Sequence, residues 1–138
     1  MHACYRFLFI LTLIHSTFAY CVYNTSERAK LSVWQEADNT GTNAFGRFHK
    51  DNMPPGSKEC CNYSNTDCVG SGNKMDIVRF SFHVTLNGEN SKTLGLTVPG
   101  GGWLNIDGDD QPVKYEAFYP DGERYESEYM VYGYPNMK

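Results

Sequence analysis

Alternating apolar and polar residues dominate the second half of the chain. Between Asp76 and Leu86, every second residue from Val78 onwards is apolar, and polar residues occupy the positions between them. A period of two is typical of a β-strand that turns one face towards a core. Asn87 and Gly88 follow directly, and this pair predicts a tight hairpin turn.

Further short strands are predicted at a spacing of about ten residues. Segments 94–98, 103–106 and 113–119 carry apolar residues in strand-like patterns, and turns rich in Gly, Pro and Asp separate them. A final strand is expected between Tyr125 and Val131.

The first half of the chain has a weaker pattern. Short strands are predicted at 21–23 and 31–34, with a third within 44–49, and the prolines of 54–56 predict a break. Segment 59–75 is rich in Asn, Ser, Gly and Cys, and we expect it to form a loop held by disulfides.

These patterns predict an all-β fold, a single antiparallel β-sandwich domain braced by two disulfides. A small β-barrel is the alternative. Much of the core is expected to come from seven apolar side chains of the second half. They are Phe80, Phe82, Val84, Leu94, Leu96, Val98 and Ile106.

Residues 1–19 have the layout of a secretory signal peptide. The apolar run 7–14 follows a single basic residue, and the small residues Thr17 and Ala19 occupy the positions that a signal peptidase requires. A membrane-spanning helix needs roughly 20 apolar residues, far more than this run provides. We therefore expect residues 20–138 to form a secreted, extracellular domain without a membrane span.

Four cysteines follow the predicted signal peptide: Cys21, Cys60, Cys61 and Cys68. An even number in an exported chain predicts two disulfides. A bond between the neighbours Cys60 and Cys61 would be strained, which disfavours that pairing. Two pairings stay open, in which Cys21 bonds one of the neighbours and Cys68 bonds the other. A zinc site is disfavoured by the spacing of these residues.

Two sequons for N-glycosylation are present, at Asn24 and Asn62. In an exported eukaryotic chain both predict surface loops that carry glycans.

Segment 56–68 places the neighbouring cysteines ahead of a β-rich second half, in a short chain with a signal peptide. This organisation resembles the small secreted cysteine-containing proteins of fungi that are grouped as effector-like. The resemblance implies export and interaction with other cells or their walls, and it implies no defined chemistry.

The chain of 138 residues has 12 basic and 16 acidic side chains and a net charge of -4, which argues against a nucleic-acid partner. Segment 105–128 contains most of the imbalance, since its eight acidic residues outnumber its two basic ones. This segment is either a solvated face, which we favour, or a surface that attracts a cationic partner.

The acidic turn contains Asp107, Asp109 and Asp110, whose carboxylates are ligands that Ca²⁺ prefers. Their order does not match an EF-hand loop. Turn chemistry alone explains the Asp and Gly residues here, so we favour a solvated turn and expect no other cofactor.

Aromatic residues are the candidates for ligand binding. Trp103 follows three glycines. Its ring is either open for stacking on a sugar or part of the core, and we favour the core. Tyr125, Tyr129 and Tyr132 lie near acidic residues, and we expect them to form a partly exposed recognition face.

No catalytic motif is found around His49 or His83, the two histidines after the signal peptide. We therefore favour a non-enzymatic binding protein that recognises an extracellular protein or glycan. The alternatives are a small secreted hydrolase or toxin that attacks wall polysaccharide with His83 and acidic residues such as Asp107, and a structural protein of the wall.

Overall fold

A computed structural model describes residues 19–37 and 46–133, which contain eleven strands and no helix. The strands are β1 (Ala19–Asn24), β2 (Lys30–Gln35), β3 (His49–Met53), β4 (Lys58–Asn62), β5 (Ile77–Leu86), β6 (Glu89–Asn90), β7 (Thr93–Pro99), β8 (Trp103–Asp107), β9 (Lys114–Phe118), β10 (Arg124–Tyr125) and β11 (Tyr129–Gly133). The predicted signal peptide lies outside the described residues, except for Ala19. Within the described ranges, no helix has the length and apolarity of a membrane span.

The strands form two sheets that pack face to face. The first sheet has the order β10-β9-β8-β1-β4, and the second has the order β11-β7-β5-β2-β3, with β6 added to β5. Among the strands of residues 19–37 and 46–133 the two sheets do not close into a barrel, so the predicted sandwich is confirmed over the small barrel.

One strand pair departs from the predicted antiparallel arrangement. β1 runs parallel to β8, with Cys21 opposite Trp103 and Asn24 opposite Ile106, whereas β1 pairs with β4 in the antiparallel sense. The first strand of the chain is therefore an inner strand of its sheet, between two segments that follow much later.

The core between the sheets contains all seven apolar residues predicted for it, each at most 5% exposed. The first half also contributes large side chains. Tyr20 is fully buried and packs edge to face on Phe80, with ring centroids 5.0 Å apart, and on Phe48 at 5.5 Å. Burying one such side chain stabilises the fold by about 1.5–3 kcal/mol.

Between residues 76 and 119 the predicted strands agree with the structure to within one residue, whereas the single final strand expected between Tyr125 and Val131 is two strands, β10 and β11. Two predictions in the first half were also wrong. The third strand is His49–Met53 rather than a segment within 44–49, because the alternation there is too weak to mark it. The expected loop 59–75 begins with strand β4, whose residues pair with β1. The hairpin at Asn87 and Gly88 is confirmed, with φ angles of 54° and 83°.

Two disulfides brace the first sheet. Cys21 bonds Cys60, its direct partner in the register of β1 and β4, and Cys61 bonds Cys68 in the loop that follows. This is one of the two pairings that the sequence left open.

Candidate functional site

The four aromatic residues predicted to bind a ligand do not form a common surface. Trp103 lies on the outer face of the first sheet, and Tyr132 lies over Gly95 of the second. Tyr125 packs against the core, and its hydroxyl is 3.1 Å from Oγ1 of Thr97. Tyr129 is exposed on the edge strand β11. The three tyrosines are at least partly exposed, as expected, but they do not share one face.

Strand β8 places Trp103 on an outer face, so the interpretation of this side chain as part of the core is also wrong. Leu104 and Ile106 point inward and are fully buried. Trp103, Asn105 and Asp107 alternate with them and are half-buried. Strict alternation thus gives β8 one apolar inner face and one mixed outer face.

Trp103 forms an aromatic pair with Phe118, its register partner on β9. The two rings are stacked, with centroids 4.9 Å apart and an interplanar angle of 17°. Gly102 precedes Trp103, and a Cβ there would collide with the carbonyl oxygen of Phe118. Gly102 thus allows the close approach of β9 on which this pairing depends.

A polar groove lies on the same sheet beside the aromatic pair. Its volume is about 390 Å³. It is lined by Thr25, Asn105, Asp107, Lys114, Tyr115, Glu116 and Arg124. Arg124 donates to Glu116 at 2.8 Å, and Lys114 lies 3.3 Å from the Asp110 carboxylate. These ion pairs balance charge within the groove, while Asn105 adds an amide that can both donate and accept.

The three carboxylates of the acidic turn have separate partners. Asp109 accepts hydrogen bonds from the backbone N–H groups of Glu27, Arg28 and Ala29. Asp107 accepts from the N–H of Asp109 at 3.1 Å, and Asp110 pairs with Lys114. In residues 19–37 and 46–133, no cluster of three or more His, Cys, Asp or Glu side chains is placed to hold a metal ion.

Asp109 gives the fold a predictable dependence on pH. Its pKa lies below the ordinary value of 3.8, chiefly because the N–H of Glu27 donates to the carboxylate, with further donation from Ala29 and Arg28 and the charge of Arg28. The unfolded chain therefore binds a proton more readily than the folded one. The stabilisation is complete above pH 3.8 and is lost as the pH falls through the lower pKa of the folded state.

We expect Asp109→Asn, which keeps a carbonyl acceptor but removes the charge, to be less stable than the wild type at neutral pH. The difference in Tm should shrink as the pH is lowered from 7 towards about 2. Thermal unfolding followed by circular dichroism measures it. A difference that stays constant over this range would contradict the assigned role.

The sequon at Asn24 is not in a surface loop, so that expectation is wrong. Asn24 ends β1, is 1% exposed, and donates from its side-chain amide to the carbonyl oxygens of Ala29 and Met53 at 2.9 and 3.0 Å. A glycan on that nitrogen would remove both hydrogen bonds. Asn62 ends β4 and is exposed, and its Oδ1 accepts from Ser64.

His83 and Asp107, the pair considered for a hydrolase, lie on the outer faces of different sheets. His83 packs against Trp34, with ring centroids 5.7 Å apart, and its Nδ1 is buried without a hydrogen-bond partner among the described residues. Burial lowers the pKa of His83, while the charge of Asp51 acts in the opposite direction. The structure does not bring this pair together.

A second groove, which the sequence did not reveal, opens between the two sheets next to β11. Its volume is about 670 Å³. Six polar residues line its rim, among them Glu89 and Lys92 with their opposite charges. The other seven lining residues are apolar: Val84, Leu86, Leu94, Pro112, Val113, Tyr129 and Val131. Tyr129 stacks on Tyr115 of the first sheet, with centroids 5.4 Å apart. We call this cavity the apolar groove. The one sequence signal for it is the apolar pair Tyr129 and Val131 in the last strand.

Comparisons with protein families, with curated proteins and with solved structures find no match for this chain.

Proposed function

We propose that this protein is a non-enzymatic extracellular binding protein that recognises a neutral glycan on the outer face of its first sheet. The observation that carries the proposal is the stacked pair of Trp103 and Phe118 beside the polar groove. Stacking covers one face of each ring, but both side chains are only half-buried, so apolar ring surface stays accessible to the C–H groups of a sugar. Polar groups close by can bond the hydroxyls of that sugar.

The aromatic pair and the polar groove lie next to each other in an arrangement that suits a chain of sugars. Phe118, Trp103 and Cys21 form one row across the sheet, and the next row contains Glu116, Asn105 and Tyr23. Rows two residues apart along a strand are separated by about 6.5–7 Å, because the rise is about 3.3 Å per residue. One sugar ring over the aromatic row therefore places the next within reach of the amide of Asn105.

Charge on this face favours a neutral ligand over a polyanion or a polycation. Two acidic residues, Asp107 and Glu116, and two basic residues, Lys114 and Arg124, line the groove, so neither sign dominates it. A guanidinium or carboxylate that already forms an ion pair still has N–H groups or oxygen lone pairs free to hydrogen-bond sugar hydroxyls.

Export remains part of the proposal. Two disulfides occur in the described residues, and such bonds persist in oxidising compartments outside the cytosol. Wall and surface polysaccharides are the glycans that an exported protein of this kind would meet.

Oligosaccharide binding tests the proposal. Titration calorimetry with cello-, chito- and laminari-oligosaccharides is expected to give binding for at least one of them. Trp103→Ala should weaken that binding at least about tenfold, because a central aromatic side chain contributes on the order of 2 kcal/mol. Asn105→Ala should weaken it as well, without the loss of an aromatic ring.

Trp34 provides the matched control. It is the other tryptophan of the chain, it is also half-buried, and it lies on the outer face of the opposite sheet. Trp34→Ala should leave affinity unchanged. Absence of binding to all three sugars by folded protein, or an equal loss in Trp34→Ala and Trp103→Ala, would refute the assignment.

A further inference from the structure

Strand β11 is the most apolar exposed part of the described residues. Among all described residues, five large apolar side chains are exposed. Three of them belong to β11: Tyr129, Val131 and Tyr132, with exposed fractions of 44%, 53% and 50%. Exposed apolar side chains collected on one short element mark an interaction surface more often than scattered ones do.

Strand β11 is also an open edge. It ends the second sheet and pairs only with β7 in the part of the chain that the structure describes. The outward backbone N–H and C=O groups of an edge strand are ready to pair with another strand, and most proteins protect such edges with charges, bulges or short length.

The other three edges carry these protections. β3 contains His49, Lys50 and Asp51, and its register with β2 is broken near Asn52, whose φ is 52°. β4 begins with a lysine and a glutamate, and β10 has only two residues. In contrast, the sequence of β11, Tyr-Met-Val-Tyr-Gly, contains neither charge nor proline, and its register with β7 shifts only at its end, between Val131 and Gly133.

We propose that β11 binds an extended peptide segment of a partner protein, which adds to the second sheet as a further strand. This surface is separate from the proposed glycan site. Successive side chains of an added strand point to opposite faces. Every second residue would enter the apolar groove beside Val131, and the residues between them would pack on the outer face near Met130 and Tyr132.

The apolar groove has the capacity for such side chains. Its volume of about 670 Å³ is enough for more than one large apolar side chain. Tyr129 lines the groove on the β11 side, and Val84 and Leu94 line its inner part. Burying one valine- or leucine-sized side chain there would contribute about 1.5–3 kcal/mol.

Contacts on the outer face hold β11 in place before any partner arrives. Arg79 of β5 donates to the Glu128 carboxylate at 3.0 Å and to the sulfur of Met130 at 3.1 Å. Tyr132 lies so close over Gly95 that a Cβ there would be 2.8 Å from its ring. A strand already ordered for pairing loses less entropy on binding.

Charge identifies the partner segment more closely. Glu126 and Glu128 precede β11 and are exposed, and the Glu128 side chain keeps 67% of its surface accessible despite its ion pair with Arg79. A peptide with alternating apolar residues and a flanking lysine or arginine complements this arrangement. In a second copy, β11 itself contains no basic residue and is preceded by the same two glutamates, so we assign the edge to a different protein.

Peptide selection tests the proposal. A random library of peptides about ten residues long, the upper range of strand lengths, is panned on the intact protein. We expect enrichment of sequences with apolar residues at every second position and a basic residue at one end. The best peptide is then synthesised, together with a version that has proline at its centre, and both are titrated by fluorescence anisotropy.

Val131→Lys should weaken binding of the selected peptide at least about tenfold, because it places a charge at the mouth of an apolar groove. Met75→Lys is the matched control, since Met75 is an exposed apolar residue outside β11, 49% exposed, and it should bind as the wild type does. The peptide with proline should not bind, because it lacks a backbone N–H for the ladder.

Three results would overturn the proposal. The first is no enrichment of peptides from the library, and the second is equal binding of the selected peptide by Val131→Lys and wild type. The third is dimerisation through β11 in place of peptide binding. Sedimentation would show it as self-association that Val131→Lys abolishes. The peptide and glycan sites are tested independently, because Val131→Lys should leave oligosaccharide binding intact and Trp103→Ala should leave peptide binding intact.

Discussion

Replacing Cys21 and Cys60 together by serine is expected to lower the free energy of unfolding by about 4 kcal/mol. Their bond joins residues 39 positions apart, so its loss frees a long loop in the unfolded chain. The folded state loses little by comparison, because β1 and β4 still pair along the same register. Urea unfolding followed by tryptophan fluorescence measures the change.

The second disulfide provides the control for loop length. Cys61 and Cys68 are 7 positions apart. Serine at both positions should cost only about 2.5 kcal/mol on the same entropic argument. If the short loop proved more costly than the long one, native packing around Cys68, rather than chain entropy, would govern the stability of this region.

Gln35→Ala is expected to destabilise the protein by about 3 kcal/mol, because it leaves several buried polar groups without partners. Gln35 is 4% exposed. Its Oε1 accepts from the Tyr20 hydroxyl at 2.9 Å, and its Nε2 donates to the carbonyl oxygen of Cys68 at 2.6 Å. The N–H of Phe48 also donates to Oε1, at 3.4 Å. One amide thus connects both sheets and the disulfide loop.

Tyr20→Phe is the matched control, because it removes one hydroxyl and keeps the ring that packs on Phe80. It should cost about 1 kcal/mol, the usual contribution of one hydrogen bond. Burial raises the pKa of Tyr20 above its ordinary value of 10.0, so its hydroxyl is protonated and able to donate at neutral pH. Equal costs for the two variants in urea unfolding would show that Gln35 acts only through Tyr20.

The second half of the fold could be predicted because local and global requirements agree there. The alternation from Val78 to Leu86 identified both the strand and its buried face. The positive φ angles that the turn requires suit Asn87 and Gly88, so the hairpin followed from residue types alone.

Strand order could not be predicted in the same way. The parallel pairing of β1 with β8 joins strands that are about eighty residues apart in the sequence, such as Cys21 with Trp103. No turn residue indicates such a distant pairing. β3 carries four polar residues out of five because it lies at an edge, so it lacks the apolar alternation that marks inner strands.

The candidate sites show a similar division. Alternation within β8 could have placed Trp103 on the outer face, since Leu104 and Ile106 are the apolar members of that strand. We instead assigned Trp103 to the core because its side chain is large and apolar, and this criterion was wrong. The partners of Asp109 come from a loop far away in sequence. The acidic turn was therefore visible in the sequence, but its role as an acceptor for backbone N–H groups was not.

The position of β1 also affects biosynthesis. During translation β1 emerges first, whereas β8, its parallel neighbour, is synthesised after most of the domain. Until β8 is made, one edge of β1 is unpaired, and β4 is the first strand to be synthesised that pairs with β1. A Cys21–Cys60 bond formed during synthesis would secure that early pairing of β1 with β4 and would keep β1 from aggregating before the last strands are made.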